Sequence, residues 1–475
     1  MQTSHSTILH LGLGAFHRAH QAAYLQDLVD QGEDGWVIVA ANIRHDPLDP
    51  GPALRAQGCA YTLETVTPDG AHAYRIIRAI TAVLAYEPAL AGVLATGADA
   101  ATRIISFTVT EAGYFLGTDG QLDLSSQDVH ASLTETRCAK PGATIYSVLA
   151  AILRARRAAG AGPVTLLCCD NLRHNGDRVR QGLRQFLMLA GETDLLAWMA
   201  QHTRCPNSMV DRITPRATPA LRARVLAATG RDDPAAVMSE SYSEWVIEDE
   251  FCNGRPAWER AGARMVESVA PFEEAKIRIL NASHSCIAWA GALLELQYIH
   301  EGMRDARIRA LVHDYVTGAV FDCLRPSPVD LDVYCDAVIT RFSSDAVCDT
   351  VERVLADSLA KLPGFIVPTI RERMARGLDL EAVAPLPALY LTFLCRWRAG
   401  LIHANYRDAA LDEGFVQRVC GADDPVAAFC AEPALWGELA GSPMLVAAIR
   451  AAHGKAALKP APRPGSAPSA GRSPT

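Results

Sequence analysis

Short apolar runs alternate with amphipathic stretches over the first 170 residues. Residues 8–11 form an apolar run that breaks at Gly12 and Gly14 and passes into a helical spacing through Tyr24, Leu25 and Leu28. Further apolar runs at residues 36–41, 103–110 and 164–169 read as strands. The last two have the unbroken character of strands in a parallel sheet, whose C-terminal ends are where ligands bind. Residues 144–158 carry helical periodicity and are stopped by Gly160 and Gly162. Residues 60–80 alternate about the turn Pro68-Asp69-Gly70, which predicts a hairpin inserted in the same unit. After Pro271 the pattern turns helical, in amphipathic segments separated by Pro326, Pro328, Pro363, Pro368, Pro385 and Pro387. The pattern predicts an α/β fold. A Rossmann-type dinucleotide-binding domain with insertions spans residues 1–271, a mostly α-helical domain spans residues 272–453, and a tail rich in Pro, Ala, Ser and Gly from Gly454 onward is expected to be disordered.

The first turn carries the first chemistry. Gly12 permits a tight turn after the strand, and Gly14 lets the backbone approach a pyrophosphate lying on the amides of the following helix. The third glycine of the usual fingerprint is missing, since His17 stands where Gly or Ala is normal. The match is therefore partial, and weak by itself. Gly12, Gly14, Phe16 and His17 are the candidate cofactor residues of this turn. Asp46 lies at about the distance where an acidic residue binds the adenosine ribose hydroxyls. Arg44 and His45 beside it would tolerate a 2′-phosphate, so the pattern favours NAD and leaves NADP open.

Residues 273–284, EEAKIRILNASH, carry the second. At about 100° per residue, and with Lys276 set at zero, Glu273 falls at about 60°, His284 at about 80° and Asn281 at about 140°. All four side chains would face one cleft, while Ile277, Ile279 and Leu280, followed by Cys286, Ile287, Ala288 and Trp289, supply the apolar surface that holds a helix in a core. A core helix with a few satisfied polar groups accounts for the same segment equally well.

Composition narrows the function. A chain of 475 residues is long enough for two sizeable cores. With 49% hydrophobic and 21% charged residues it is expected to be globular and soluble, without a secretory leader, and no apolar run reaches the length of a membrane span. A net charge of −8 argues against nucleic acid or an anionic membrane as partner. Thirteen scattered cysteines without a CxxC pair read as reduced thiols in a cytoplasm, and Cys168 and Cys169 as packing residues on a strand. No Cys/His cluster of the kind that holds zinc is evident.

Five stretches taken in order, GLGAFHRAHQAAYL at residues 12–25, TEAGY at 110–114, CDNLRHNG at 169–176, NSMVDRITP at 207–215 and KIRILNASH at 276–284, resemble the polyol-specific long-chain dehydrogenase family. The resemblance runs from about Ile8 to about Ala410. It implies an NAD-dependent, metal-independent oxidoreductase that interconverts a sugar alcohol and a ketose. Residues 254–259 and 273–301 are most similar to the branch acting on D-arabinitol, which implies D-xylulose as product. Oxidation of mannitol to fructose and reduction of a sugar acid are the alternatives. A nucleotide-binding sensor without catalysis is a further one, disfavoured because a sensor needs no base.

The resemblance also implies roles. Lys276 is the general base, and burial against residues such as Ile277 and Leu280 would lower a lysine pKa from its ordinary value of about 10.4. Asn171 and Asn281 stabilise the negative charge that builds on the substrate oxygen. They come one from each domain, which places the expected site at the junction. Residue by residue, Asn171 could instead cap a helix or a turn. His284 orients the substrate oxygen, with a core histidine as its plain alternative. Glu273, or its neighbour Glu274, passes the proton to solvent, unless either is simply a surface ion pair. Asp211, Arg353 and Lys361 are implied substrate contacts, although residues 353–358 depart from the family's pattern there. Oligomeric state is undetermined by the sequence.

Overall fold

The computed structural model describes residues 5–117, 120–138, 140–402, 405–408 and 411–455, and it divides into two units between Glu273 and Glu274. The strands of the first unit are β1 (Ser6–Leu11), β2 (Trp36–Ala41), β3 (Tyr61–Val66), β4 (His72–Ile77), β5 (Ile80–Leu84), β6 (Thr102–Phe107), β7 (Val164–Cys168), β8 (Thr203–Arg204), β9 (Ser208–Asp211), β10 (Val237–Glu240), β11 (Glu244–Glu248) and β12 (Arg264–Val266). Six of them form an all-parallel sheet in the order β5-β2-β1-β6-β7-β8. Counted within the sheet this is the order 3-2-1-4-5-6, in which the winding reverses between β1 and β6 and opens a crevice at their C-terminal ends.

Both faces of this sheet are covered. Ile8, Ile38, Ala40, Ile104 and Leu167 belong to one apolar cluster, whereas Leu9, Leu11, Ile105, Phe107 and Leu166 belong to another. Sequence neighbours that alternate between two clusters follow from the two-residue period of a strand. Burial on both faces is why these strands read as continuous apolar runs. The hairpin expected within residues 60–80 is β3 and β4, paired antiparallel from Tyr61↔Ile77 to Val66↔His72, and β10 joins it along β3. A third sheet, ordered β12-β11-β9, ends β9 at Asp211. The helix Ile145–Ala159 starts where the Thr144 side chain accepts from the Ser147 amide and stops at Gly160, whose φ of 63° is left-handed. One expectation is corrected: the helix after the glycine turn is broken at His20 into Ala15–Ala19 and Gln21–Asp30.

The second unit is helical among its described residues, around a core that includes Trp289, Tyr390, Phe393 and Trp436. The helix Ala282–Leu293 runs through this core. Trp289 anchors it there, with Nε1 donating to Ser358 Oγ at 2.9 Å and its ring 5.0 Å from that of Tyr390. Gly454 lies inside the helix Pro443–Lys455, which overrides the disorder expected from that residue; the remainder of that expectation, residues 456–475, falls outside the described residues. No helix among the described residues is long and apolar enough to cross a membrane.

Candidate active site

The glycine turn leaves β1 in a conformation only glycine accepts. Gly12 has a φ of +111°, and a Cβ there would come within 2.1 Å of the Thr108 carbonyl oxygen. Gly14 is the opposite case, with nothing within 4 Å of where a Cβ would stand. This backbone is open to the close approach a dinucleotide requires, and it sits at the crevice end of β1, so the residues present fit such a cofactor. His10 braces the turn from within β1: Nε2 lies 2.8 Å from Gly12 O and Nδ1 2.8 Å from Ser106 Oγ. His17, in the place of the third glycine, is buried and stacks on His10 at 3.4 Å. Burial lowers the pKa of His10 to about 3 and that of His17 well below its ordinary value. Both imidazoles are therefore neutral at pH 7 and bring shape rather than charge to the turn. Phe16 is half-buried and stacks on His20 at 4.8 Å.

Asp46 is exposed on the loop after β2, where its Oδ1 accepts from the Leu48 amide at 2.8 Å. Asn42, which the sequence did not single out, links this loop to the turn. Its Oδ1 accepts from Leu13 N at 2.8 Å and its Nδ2 donates to Asp49 Oδ1 at 2.8 Å. Arg44 is partly engaged, donating from Nε to Ala143 O at 2.8 Å.

Asn171 lies in the bend between β7 and the helix Asn175–Ala190, exposed and outside the helix cap, a position taken by His174. Two neighbours fix that bend. Asp170 accepts from the Val109 amide at 2.8 Å, the Thr110 amide at 3.1 Å and the Tyr114 hydroxyl at 2.5 Å, which ties the TEAGY stretch to the end of β7. Burial nonetheless pushes the Asp170 pKa up. Asn175 donates to Asp170 O at 3.1 Å and Ser208 O at 2.8 Å, and its Oδ1 accepts from Ser208 N at 2.9 Å. It thus joins β7 to β9, the strand that ends at Asp211, itself buried. Gly176 is required beside it, because a Cβ would meet the carbonyl oxygens of Cys205 and Pro206 at 2.4 Å. Cys168 and Cys169 are buried, as expected of packing residues.

The segment read as a uniform α-helix is not one. Residues Ala270–Ala275 are α-helical, Lys276–Asn281 form a π-helix, and Ala282–Leu293 are α-helical again. The angular positions assigned at about 100° per residue therefore fail between Lys276 and Asn281. The i→i+5 ring of a π-helix turns each residue through less than that, so residues five apart come nearer to one line. Lys276 is 5% exposed and Asn281 half-buried. Glu273 is also buried, and both its oxygens lie 3.2 Å from the His174 backbone amide, which donates to them. Glu274 is committed elsewhere: Arg278 donates to it at 2.7 Å and to Glu372 at 2.6 Å. The two glutamates thus face different partners, Glu273 the His174 amide and Glu274 the Arg278 guanidinium.

His284 belongs to a charged group within the second unit. Its Nε2 is 3.1 Å from Asp349 Oδ2, its ring packs 4.6 Å from Phe342, and burial lowers its pKa against the pull of Asp349. Asp349 also accepts two hydrogen bonds of 2.5 Å from Nε and Nη2 of Arg353. Against burial, hydrogen bonds from His284 and from the Arg353 guanidinium hold its carboxyl well below the usual carboxylate range. Lys361 donates to the Val354 carbonyl, and burial, with help from Arg353, lowers its pKa to about 8. The structure therefore brings His284, Arg353 and Lys361 together, and it supplies Asp349 as the carboxylate that orders the first two. In the sequence Asp349 is marked only by its four-residue spacing to Arg353, a pattern common to surface ion pairs and not specific to a site. Among the described residues no three His, Cys, Asp or Glu side chains are grouped to hold a metal ion.

Residues 6–260 match the Mannitol dehydrogenase Rossmann domain and residues 268–456 the Mannitol dehydrogenase C-terminal domain. The D-arabinitol 4-dehydrogenase of Ralstonia nicotianae is 53% identical over 451 residues, covering 94% of this chain and 96% of that protein. That of Klebsiella pneumoniae is 47% identical over 444 residues, with 94% and 96% covered. Among solved structures, Pseudomonas fluorescens mannitol 2-dehydrogenase in ternary complex with NAD and D-mannitol is similar with a TM-score of 0.82 at 33% identity, covering 95% of this chain and 92% of that one. The five motifs and the 3-2-1-4-5-6 sheet are thus parts of one likeness that takes in both units, and the chain belongs to the mannitol dehydrogenase family.

Proposed function

We propose that this oxidoreductase uses NAD to oxidise a secondary hydroxyl of D-arabinitol, giving D-xylulose. The observation that carries the substrate is 53% identity with a D-arabinitol 4-dehydrogenase across 94% of the chain. NAD supplies the hydride acceptor. The protein's part is to take the hydroxyl proton, hold the oxygen and grip the remaining hydroxyls. Lys276 is the base, placed in the buried π-turn where water has little access. Asn171 and Asn281 are neutral amide donors to the substrate oxygen, which lets them stabilise its charge without quenching the base. His284, kept neutral by burial and steered by Asp349, orients that oxygen. Glu273 carries the proton away. Asp211, Arg353 and Lys361 are the hydroxyl contacts, and Gly12, Gly14, Phe16, His17 and Asp46 hold the cofactor.

Reduction of a sugar acid is the weaker reading: of the two cations it would rely on, Arg353 already forms a bidentate pair with Asp349 and Lys361 donates to the Val354 carbonyl. Initial rates of NADH formation with D-arabinitol, D-mannitol, D-sorbitol and xylitol test the proposal. A preference for D-arabinitol is expected. A preference for mannitol would keep the chemistry and move the substrate, whereas no turnover of any polyol with NAD or NADP would reject the proposal.

A further inference from the structure

We infer that His174 is the solvent-side member of the proton path, receiving the proton from Glu273 and handing it to water. The inference rests on the reading of Glu273 as a relay. A buried carboxylate cannot by itself deliver protons to bulk solvent, and the Glu273 side chain is 5% exposed. The His174 side chain is 48% exposed, and its Nδ1 lies 3.6 Å from Glu273 Oε2. One imidazole therefore has one nitrogen near the buried acid and a ring that reaches water. Histidine is the side chain suited to exchange protons near neutral pH. The separation of 3.6 Å is longer than a hydrogen bond, and relay contacts in enzymes without bound ligand are often this long and tighten during the reaction.

The backbone supports the placement. His174 sits at φ 50° and ψ 47°, in the left-handed region, ahead of the helix Asn175–Ala190, and its side chain makes no capping bond to that helix. That conformation is uncommon outside glycine and is one in which Asn, Asp and His are enriched. It directs the His174 N–H at both oxygens of Glu273, each at 3.2 Å. The residue thus meets the carboxylate through its amide and its ring together.

Each oxidation of the alcohol by NAD yields a ketone, NADH and one proton. The Lys276 amine takes that proton from the hydroxyl as its O–H bond breaks, and the N–H so formed breaks in turn as an O–H bond forms on the Glu273 carboxylate. The O–H then breaks as an N–H forms at His174 Nδ1, and the imidazolium loses its other proton from Nε2 to water or buffer. Exchange with solvent restores the starting tautomer, so no further reactant is consumed.

The test follows proton release with a pH indicator in weak buffer, beside NADH absorbance, in a stopped-flow single turnover of the intact enzyme with D-arabinitol, or with whichever polyol it turns over. His174→Asn keeps the left-handed backbone and the amide contact while removing the imidazole; His174→Gly is the second variant, in case the first folds poorly. In the wild type, proton release should keep pace with NADH. In either variant it should lag by about 10²-fold, the lower end of what a positioned proton carrier contributes, and added imidazole should restore it. Glu273→Gln separates the two ideas. A lag in Glu273→Gln with none in the His174 variants overturns the role of His174 alone, and no lag in Glu273→Gln overturns the relay reading beneath it. A lag in the His174 variants that imidazole fails to shorten assigns the residue a purely structural part and also overturns the inference.

Discussion

Replacing Lys361 with methionine should change how the stability of the protein depends on pH, in a direction set by the burial of its amine. Burial, with Arg353 nearby, lowers the Lys361 pKa from 10.5 to about 8. In the unfolded chain the amine returns to water and holds its proton to the ordinary, higher value. Between about pH 8 and pH 10.5 the unfolded state therefore binds a proton that the folded state does not, and stability rises with pH. Below about pH 8 both states are charged, and the fold bears the full cost of a desolvated ammonium. At 1.36 kcal/mol per pH unit that cost is at most about 3.4 kcal/mol, of which about 2.5 kcal/mol is relieved between pH 7 and pH 10.

Lys361→Met keeps the length of the side chain and removes the titration. Urea unfolding of wild type and variant at pH 7, 8, 9 and 10 should show the wild type gaining on the variant across this range, with most of the gain above pH 8. Subtracting the variant cancels every other group that titrates alike in both proteins. The reasoning is refuted if the difference stays flat to within about 0.5 kcal/mol, the scatter of substitutions that touch nothing. A functional companion follows from the same proton. If charged Lys361 binds a substrate hydroxyl, the wild-type KM for the polyol should climb above about pH 8 while that of Lys361→Met remains level.

Three further outcomes are expected. Lys276→Ala should lose several orders of magnitude in turnover near neutral pH, with NADH affinity, read from nucleotide fluorescence, largely kept; ordinary turnover would remove it as the base. Asn281→Ala should cost about 2.7–4 kcal/mol of transition-state stabilisation, about 10²–10³ in kcat, and an unchanged rate would take it out of the site. Asp349→Asn should raise KM for the polyol by freeing His284 and Arg353, and destabilise the fold by about 1–3 kcal/mol, less than the 3–5 of a fully buried pair because Arg353 is exposed. The depressed pKa of Asp349 means that its contribution is complete above the ordinary aspartate value of about 3.9 and fades in acid. The deficit of the variant, measured by urea unfolding, should accordingly shrink below about pH 4.

The parts of this protein that were legible in its sequence are those dictated by local rules. The strand before Gly12 is apolar because the sheet is covered on both faces, and Gly12 is glycine because its φ and the Thr108 carbonyl admit nothing else. The hairpin about Pro68-Asp69-Gly70 and the helix between Thr144 and Gly160 follow from turn and cap chemistry in the same way. Asn42, Asp170, Asn175 and Asp349 were not legible as site residues. Each acts through partners that the fold alone brings close: Asn42 bonds Leu13, Asp170 bonds Val109 and Tyr114, Asn175 bonds Ser208, and Asp349 contacts His284. Chemistry-bearing residues can be read from a motif, whereas the groups that aim them depend on distances no periodicity encodes.

The π-turn is the clearest case of that limit, and it bears directly on the mechanism. In a regular α-helix, Lys276 and Asn281 would sit about 140° apart, at opposite limits of the arc that faces the cleft, although the proposed mechanism has both reach one oxygen. Nothing in KIRILN announces a change of winding, since Ile, Leu, Lys and Arg are all at home in an α-helix. The wider turn costs hydrogen-bond geometry, and such turns are found as short pieces, frequently at functional sites. In this helix the departure spans Lys276 to Asn281 and ends where Ala282 resumes the α-helix that Trp289 anchors. The anchored part fixes where His284 stands, and the π-turn swings Lys276 toward the line of Asn281. The amphipathic pattern thus specified the helix on which the proposed base and amide stand, and a local breach of helical regularity brings Lys276 and Asn281 toward one side.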